Sequence, residues 1–410
     1  ATDAVLSTRS ARYDGNGNTI AATDARGTTT TFTFDAGDNL TSQAQPVTAT
    51  SSIVTSFGYD PAGHRTRFTD GRGNAFWTTY NAWGLAESQV EPATTATPTP
   101  ADRTWTLGYD AAGRAVSQSQ PGGVLVANRY DDLGRLVQQS GSGAEVATAT
   151  RTFGYDDAGR MTSAAVPGDT ISIGYDDRNL PVSVTGPHDN AAYTYTRDGQ
   201  LASRADASGT TSFGYDTAGR VRTVANPTTG VTLGVEYNQL SQPNKVTYGG
   251  SNVRTFGYDP LHRVQTDTIK TADGAVTLGS ITYGYDANGN ETAKTSFCDD
   301  AASAEIYTYD LADRLTAWTA GSTTTAYAYD AAANRTQAGA KAFTYDDRNQ
   351  LLTQSGGTSY SYTPRGTLRH TTTPTGGHAT SADAFGQVTS QAAAGGTSEY
   401  DYDALGRALR

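Results

Sequence analysis

The sequence predicts an all-β chain of tandem β-hairpins, stacked edge to edge into one long, coiled antiparallel sheet. Three observations carry this expectation. The 410 residues include 45 Gly, 24 Tyr and 11 Phe with only 17% charged residues, a balance suited to strands and turns rather than to helices rich in leucine, glutamate and lysine. A short motif recurs 19 times, centred on an aromatic residue in every copy but that at Ala382. Ahead of it, bulky and small residues alternate with period two, the mark of a strand with two unlike faces.

Hydrophobic residues make up 36% of the chain, below the ~45–50% (glycine included) of an ordinary globular domain. A wall one sheet thick, with two broad surfaces and little true core, fits that figure. Residues 124–127 are typical of the longest apolar runs, whereas a membrane-spanning helix needs ~20 residues. The net charge of −11 opposes binding to nucleic acid, which calls for a basic face. Cys298 is the sole cysteine, so neither an intrachain disulfide nor a cysteine zinc site is expected. The chain begins at Ala1 with no signal-peptide pattern, which suggests a processed chain or an excised fragment.

The repeat comes first, because it decides the architecture. Tyr109-Asp-Ala-Ala-Gly-Arg114, Tyr130-Asp-Asp-Leu-Gly-Arg135, Tyr155-Asp-Asp-Ala-Gly-Arg160, Tyr215-Asp-Thr-Ala-Gly-Arg220 and Tyr402-Asp-Ala-Leu-Gly-Arg407 share one frame, and Tyr59-Asp-Pro-Ala-Gly63 opens the same way. The 19 copies are spaced by 16 to 29 residues, so the array fills 1–410 as a single repeat domain. Variable spacing belongs in loops, where insertions cost little. Three stretches, 91–103, 266–280 and 296–305, read as long connectors of the kind that bind partners or simply tolerate insertion.

Each frame position has a structural reading. The residue after the aromatic is Asp in 15 copies and Asn or Thr in the others, all side chains that accept backbone amides and start turns. Three residues later stands Gly in 12 copies, the residue for positive φ. Asp38, Asn179, His262, Asp313 and Asn349 tolerate that geometry, whereas Ser241 and Ala333 strain it. The structural positions are therefore Tyr59, Asp60 and Gly63; Tyr109, Asp110 and Gly113; Tyr130, Asp131 and Gly134; Tyr155, Asp156 and Gly159; Tyr215, Asp216 and Gly219; and Tyr402, Asp403 and Gly406. Tyr155, Tyr175 and Tyr215 are expected to stack on equivalent tyrosines one repeat away.

A lone hairpin is marginal in water, so the copies must pair with one another. At two strands per repeat, 19 copies give a ribbon of roughly 180 Å, which twist forces to coil into a solenoid or a hollow shell. No alternation of odd and even copies favours propeller blades.

The Tyr-Asp-x-x-Gly-Arg motif in tandem, seen at Tyr109, Tyr130, Tyr155, Tyr215 and Tyr402, resembles the YD-repeat, or RHS (rearrangement hotspot), family. That family includes bacterial polymorphic toxins, the B and C components of Tc toxins, wall-associated bacterial proteins and animal teneurins. The resemblance implies a spiralling sheet that encloses a hollow shell, holding a C-terminal toxic domain in the toxin members. It also implies a self-cleaving core end after the repeats. Nothing after Arg407 matches that core end, so it and any toxin are expected beyond this chain. The expected function is a non-enzymatic shell segment of a secreted or cell-surface protein, whose partners are its own downstream cargo or further YD repeats. Self-association through sheet edges is a further expectation. The alternative is an extracellular structural or adhesive protein: a stalk, a filament or a carbohydrate- or cell-contact module.

No catalytic, cofactor or metal site is expected. Asp14-Gly-Asn-Gly-Asn18 and Asp286-Ala-Asn-Gly-Asn290 open like calcium loops, but the twelfth positions are Ala25 and Phe297 where a bidentate Glu is required. His64, His188, His262, His370 and His378 form no metal-type pair. His188-Asp189 has no nucleophile motif beside it, and Cys298 followed by Asp299 and Asp300 reads as a loop thiol.

Overall fold

The computed structural model describes residues 7–188, 190–298 and 301–409. Asp189, Asp299 and Asp300, named above beside His188 and Cys298, lie outside them. The described residues form 37 strands and a single 3₁₀ turn, Pro100–Asp102. They fall into two compact units, one of residues 171–309 and 313–325 with residues 7 and 8, the other of 9–170, 310–312 and 326–410. Within each unit strands pair antiparallel with their sequence neighbours. Examples are Arg151–Tyr155 with Met161–Val166 in the second unit and Gly209–Tyr215 with Val221–Ala225 in the first.

All 19 turns share one geometry. The slot three residues after the aspartate position has positive φ in every copy. The glycines include Gly63 at 84°, Gly113 at 77° and Gly219 at 77°, and the seven non-glycine residues, Asp38, Asn179, Ser241, His262, Asp313, Ala333 and Asn349, lie between 60° and 66°. These seven are the non-glycine residues with positive φ among the described residues. Two backbone bonds lock the turn, as in repeat 109, where Gly113 N donates to Asp110 O at 3.0 Å and Asp110 N to Arg114 O at 3.0 Å. The hairpins from Tyr13 to Ala382 also carry a bulge opposite the aligned residue. Tyr155 pairs with Met161, but Gly154 pairs with Ser163, which leaves Thr162 as an extra residue and sharpens the local twist.

The small residue just before the aromatic has a steric cause. A Cβ added at Gly154 would stand 2.4 Å from Ser163 Oγ, and one at Gly214 would stand 2.3 Å from Thr223 Oγ1. Where threonine takes this position the two hydroxyls bond instead, as in Thr194 with Ser203 at 2.6 Å.

Two of the three long connectors are corrected. Residues 266–280 hold the ends of strands Val264–Thr271 and Thr277–Tyr285, and 296–305 holds those of Glu291–Cys298 and Ala301–Tyr309. These hairpins lengthen together, so each added strand residue finds a partner, such as Ile269 with Gly279 and Ser296 with Ser303. Residues 91–103 do form a loop, closed at its base by Glu91 N donating to Arg103 O at 3.1 Å.

The left-handed slot makes opposite predictions for two residues. Gly219→Val should lower the urea midpoint by an amount equivalent to about 1–2 kcal/mol, because a β-branched residue resists that φ. Ala333→Gly should raise it, by up to about 1 kcal/mol, since Ala333 already sits at 66°. Equal midpoints for both variants and the parent chain would contradict the turn geometry.

Candidate functional site

The recurrent polar residues clasp the turns, most fully in the seven copies where an arginine follows the slot: Arg114, Arg135, Arg160, Arg220, Arg263, Arg314 and Arg407. One carboxylate oxygen closes each turn: Asp110 Oδ1 accepts the amides of Ala112 at 2.9 Å and Arg114 at 3.0 Å. Asp60, Asp131, Asp216 and Asp403 each accept the equivalent two amides, and Asp156 accepts that of Arg160. The second oxygen takes the guanidinium that follows the slot, as in Arg135 Nε to Asp131 Oδ2 at 2.7 Å and Arg407 Nε to Asp403 Oδ2 at 2.6 Å. Held there, each arginine reaches into the next repeat. Arg135 Nη1 donates to Asp156 O at 2.9 Å while its guanidinium lies 4.9 Å from the ring centroid of Tyr155. Arg114 meets Tyr130 and Arg263 meets Tyr285 in the same way.

Tyr155 therefore stacks on Arg135, which corrects the tyrosine ladder expected there. The aligned tyrosine's hydroxyl donates back to the returning strand of the preceding repeat: Tyr59 to Leu40 O at 2.9 Å, Tyr109 to Ala86 O at 2.7 Å, Tyr130 to Ala115 O at 3.0 Å, Tyr155 to Leu136 O at 2.8 Å, Tyr215 to Leu201 O at 2.7 Å and Tyr402 to Val388 O at 2.7 Å. His64 stands in the arginine position, bonded to Asp60 at 2.9 Å and stacked on Tyr80 at 4.8 Å. The calcium-like segments are turns: Asp286 Oδ1 accepts the amides of Asn288, Gly289 and Asn290. Among the described residues no group of three or more His, Cys, Asp or Glu could hold a metal ion.

A second arrangement was not legible in the sequence. In the unit of residues 9–170, 310–312 and 326–410, the late YD turns seat against the connectors of the early repeats. Arg72 Nη1 donates to Asp346 O at 2.7 Å, Arg365 Nη2 to Glu145 Oε2 at 2.7 Å, and Ala384 N to Thr148 Oγ1 at 2.8 Å. Arg348 pairs with Glu91, which gives the 91–103 loop a role. Val124, Val126 and Ala384 form a buried cluster at this joint. The backbones come so close that a Cβ on Gly71 would stand 2.0 Å from Ala331 O. Arg348 and Arg365 occupy the same turn position as Arg178, yet their side chains are 3% and 2% exposed against 46% for Arg178.

The clasp sets the pH range of stability. In Asp110 and Asp131 the arginine amide that closes the turn, and in Asp216 the Arg220 guanidinium, hold the carboxyl below its ordinary range. That stability is present above the unfolded carboxyl pKa of ~3.9 and is lost as pH falls through the lower folded values. Burial raises the hydroxyl pKa of Tyr155, Tyr345 and Tyr362, so their contribution is present below the unfolded value of ~10 and is lost as pH rises past it. Circular dichroism against pH should therefore show a plateau ending below about pH 4 and above about pH 10. A profile flat through either limit would contradict the clasp. At the joint, Arg348→Ala should cost roughly 2–3 kcal/mol by stranding Glu91, whereas Arg178→Ala should stay within about 0.5 kcal/mol. Urea denaturation compares the two directly, and equal losses would contradict the joint.

Comparison with known proteins agrees with this architecture. The teneurin YD-shell model matches residues 166–271 and 253–410, and the RHS repeat model matches 13–50 and 130–171. No curated protein matches the chain in sequence. The crystal structure of TcdB2-TccC3 without its hypervariable C-terminal region has the same fold, at 15% identity and TM-score 0.68 over 96% of this chain and 26% of that one. That of TcdB2-TccC3 gives 15% and 0.63 over 96% and 27%. The Photorhabdus luminescens Tc holotoxin pore gives 13% and 0.56 over 96% and 27%. The chain thus spans about a quarter of the length of these structural neighbours. With a matching model over more than half its length and its tandem YD clasp, the chain belongs to the teneurin YD-shell family of YD/RHS-repeat proteins.

Proposed function

We propose that the chain is a length of wall. It is a non-catalytic YD-repeat array, continuous over 1–410, that helps enclose or present a C-terminal toxin or effector domain of a secreted or cell-surface bacterial protein. The observation that carries this reading is the joint between late turns and early connectors. A ribbon one hairpin wide has two open margins and retains nothing. Once Arg348 and Arg365 seat on Glu91 and Glu145, margins become seams and the sheet widens into a surface. The likeness to TcdB2-TccC3, one of whose structures lacks a hypervariable C-terminal region, supports placing the cargo in the sequence downstream of the repeats. The absence of catalysis is argued from commitment. The recurrent carboxylates of Asp60, Asp110, Asp131, Asp156, Asp216 and Asp403 are spent on turn amides and arginines, and Tyr59, Tyr109, Tyr130, Tyr155, Tyr215 and Tyr402 on strand carbonyls.

Limited trypsin digestion of the full-length protein tests this reading. The domain downstream of the repeats should survive as long as the repeats themselves, and an Arg348→Ala/Arg365→Ala variant should lose that protection while keeping its β spectrum. A downstream domain cut as fast in the parent protein as on its own would overturn the proposal.

A further inference from the structure

We infer that the face of the sheet bearing Phe57, Phe68 and Phe76 holds a binding site for an aromatic acid, a benzene ring with a carboxylate one or two bonds away. The site lies where one repeat lacks its usual ring. Two residues before the aligned position stands Phe or Tyr in 12 of the 19 copies, but Tyr80 is preceded there by Thr78. At Thr78 a cavity of about 220 Å³ opens, lined by Arg65, Phe68, Phe76, Thr78 and Gln89. Its floor is aromatic. Phe57, Phe68 and Phe76 lie side by side across three neighbouring strands, Ser52–Tyr59, Arg65–Thr69 and Ala75–Tyr80, with ring centroids 5.8 and 5.9 Å apart. Thr78 follows Phe76 by two residues and so shares its face, and Gln89 pairs with Thr78 from the next strand.

The chain shows elsewhere what fits this place. Arg335 and Phe343 hold the positions of Arg65 and Thr78. Arg335 pairs with the aligned Tyr329 as Arg65 does with Tyr59. Tyr345 Oη donates to Arg335 O at 3.0 Å, as Tyr80 Oη does to Arg65 O at 3.0 Å. In that later repeat the guanidinium stands 5.2 Å from the Phe343 ring centroid, and Phe343 is only 9% exposed. In the earlier one the arginine is kept and the ring is missing. An apolar cavity of about 150 Å³ takes benzene, so the space at Thr78 admits a ring with a short acidic arm.

The acidic arm is argued from charge. Arg65 stands where other copies carry Leu136, Leu201, Val221 or Val264. Its guanidinium lies 5.8 Å from the ring centroid of Phe57 and has no ion pair or hydrogen bond among the described residues. Thr78 Oγ1 and the Gln89 carboxamide are likewise without a hydrogen-bond partner there. These groups set N–H and O–H donors at the mouth of an apolar hollow, and a guanidinium holds a carboxylate through two parallel bonds. An aromatic floor with a few convergent polar groups is the general form of a small-ligand site. The site does not rest on the encapsulation reading, and its failure leaves the protease test standing.

Saturation-transfer NMR titration of the chain is the test, with phenylacetate as a free acid and N-acetylglycyl-phenylalanine as the end of a peptide. At least one should bind, and the tighter of the two identifies the source of the ring. The amide of that acid, with the same ring and no charge, should bind roughly tenfold more weakly. This difference should vanish in Arg65→Leu, which restores the residue type of Leu136. Thr78→Phe, which builds in the ring as Phe343 does, should abolish binding while its urea midpoint stays at or above the parent's. A parent that binds neither acid, an amide that binds as tightly as its acid, an acid–amide difference that survives Arg65→Leu, or a folded Thr78→Phe variant that binds as the parent does would each overturn the inference.

Discussion

Oδ1 of the aspartate after each aligned tyrosine accepts backbone amides of its own turn, two of them in repeat 109, where Asp110 takes those of Ala112 and Arg114. That oxygen holds the amides on either side of the left-handed slot, beside the backbone bond that the slot residue makes itself. Because it is anchored, the second oxygen points along the row and, where an arginine follows the slot, as at Arg114, Arg135, Arg220 and Arg407, fixes its guanidinium. The arginine in turn lies flat on the next tyrosine, and the tyrosine hydroxyl returns to the strand behind it. One local bond thus places three side chains in succession, the last of them in a different repeat. The members are individually modest, since exposed ion pairs contribute ~0–1 kcal/mol and a tyrosine hydrogen bond contributes ~1 kcal/mol. The gain lies in repetition: nearest-neighbour terms add along a quasi-one-dimensional array, which lets the chain hold together with few buried apolar side chains.

The sequence carries the hairpins openly because their causes are local. Gly113, Gly134 and Gly219 announce a left-handed slot, and Asp38, Asn179, His262, Asp313 and Asn349 are readable as substitutes. Even Ser241 and Ala333, which argue against positive φ, adopt it at 62° and 66°, because the rest of the turn over-determines them. The stacking of Arg135 on Tyr155 was concealed by a competing local rule. Cross-strand aromatics usually pair with each other, but here a bound guanidinium gets there first. The long hairpins at 266–280 and 296–305 resemble loops for a different reason: alternation there is weak, and only the equal lengthening of both partners makes them strands.

The joint is illegible for a deeper reason. Arg178, Arg348 and Arg365 stand at one position of one motif, and nothing within a repeat separates the exposed residue from the two buried ones. What separates them is contact at sequence separations of more than 200 residues, as between Glu145 and Arg365, and this depends on how the sheet curves. Curvature accumulates from many small twists and bulges, so no short window of sequence contains it.

The YD turns are uniform in length while the connectors opposite them vary from tight glycine pairs to the 91–103 loop. The two margins of the sheet therefore evolve under different rules. One behaves as a rack of evenly cut teeth, in which any change of length would throw the succeeding clasps out of step. The other behaves as a set of interchangeable inserts, free to lengthen, gain a proline or acquire a carboxylate such as Glu91 without disturbing a single hairpin. Lineages carrying this fold can thus alter what the wall touches while its internal pitch stays constant, and most of their variation should gather along that one margin.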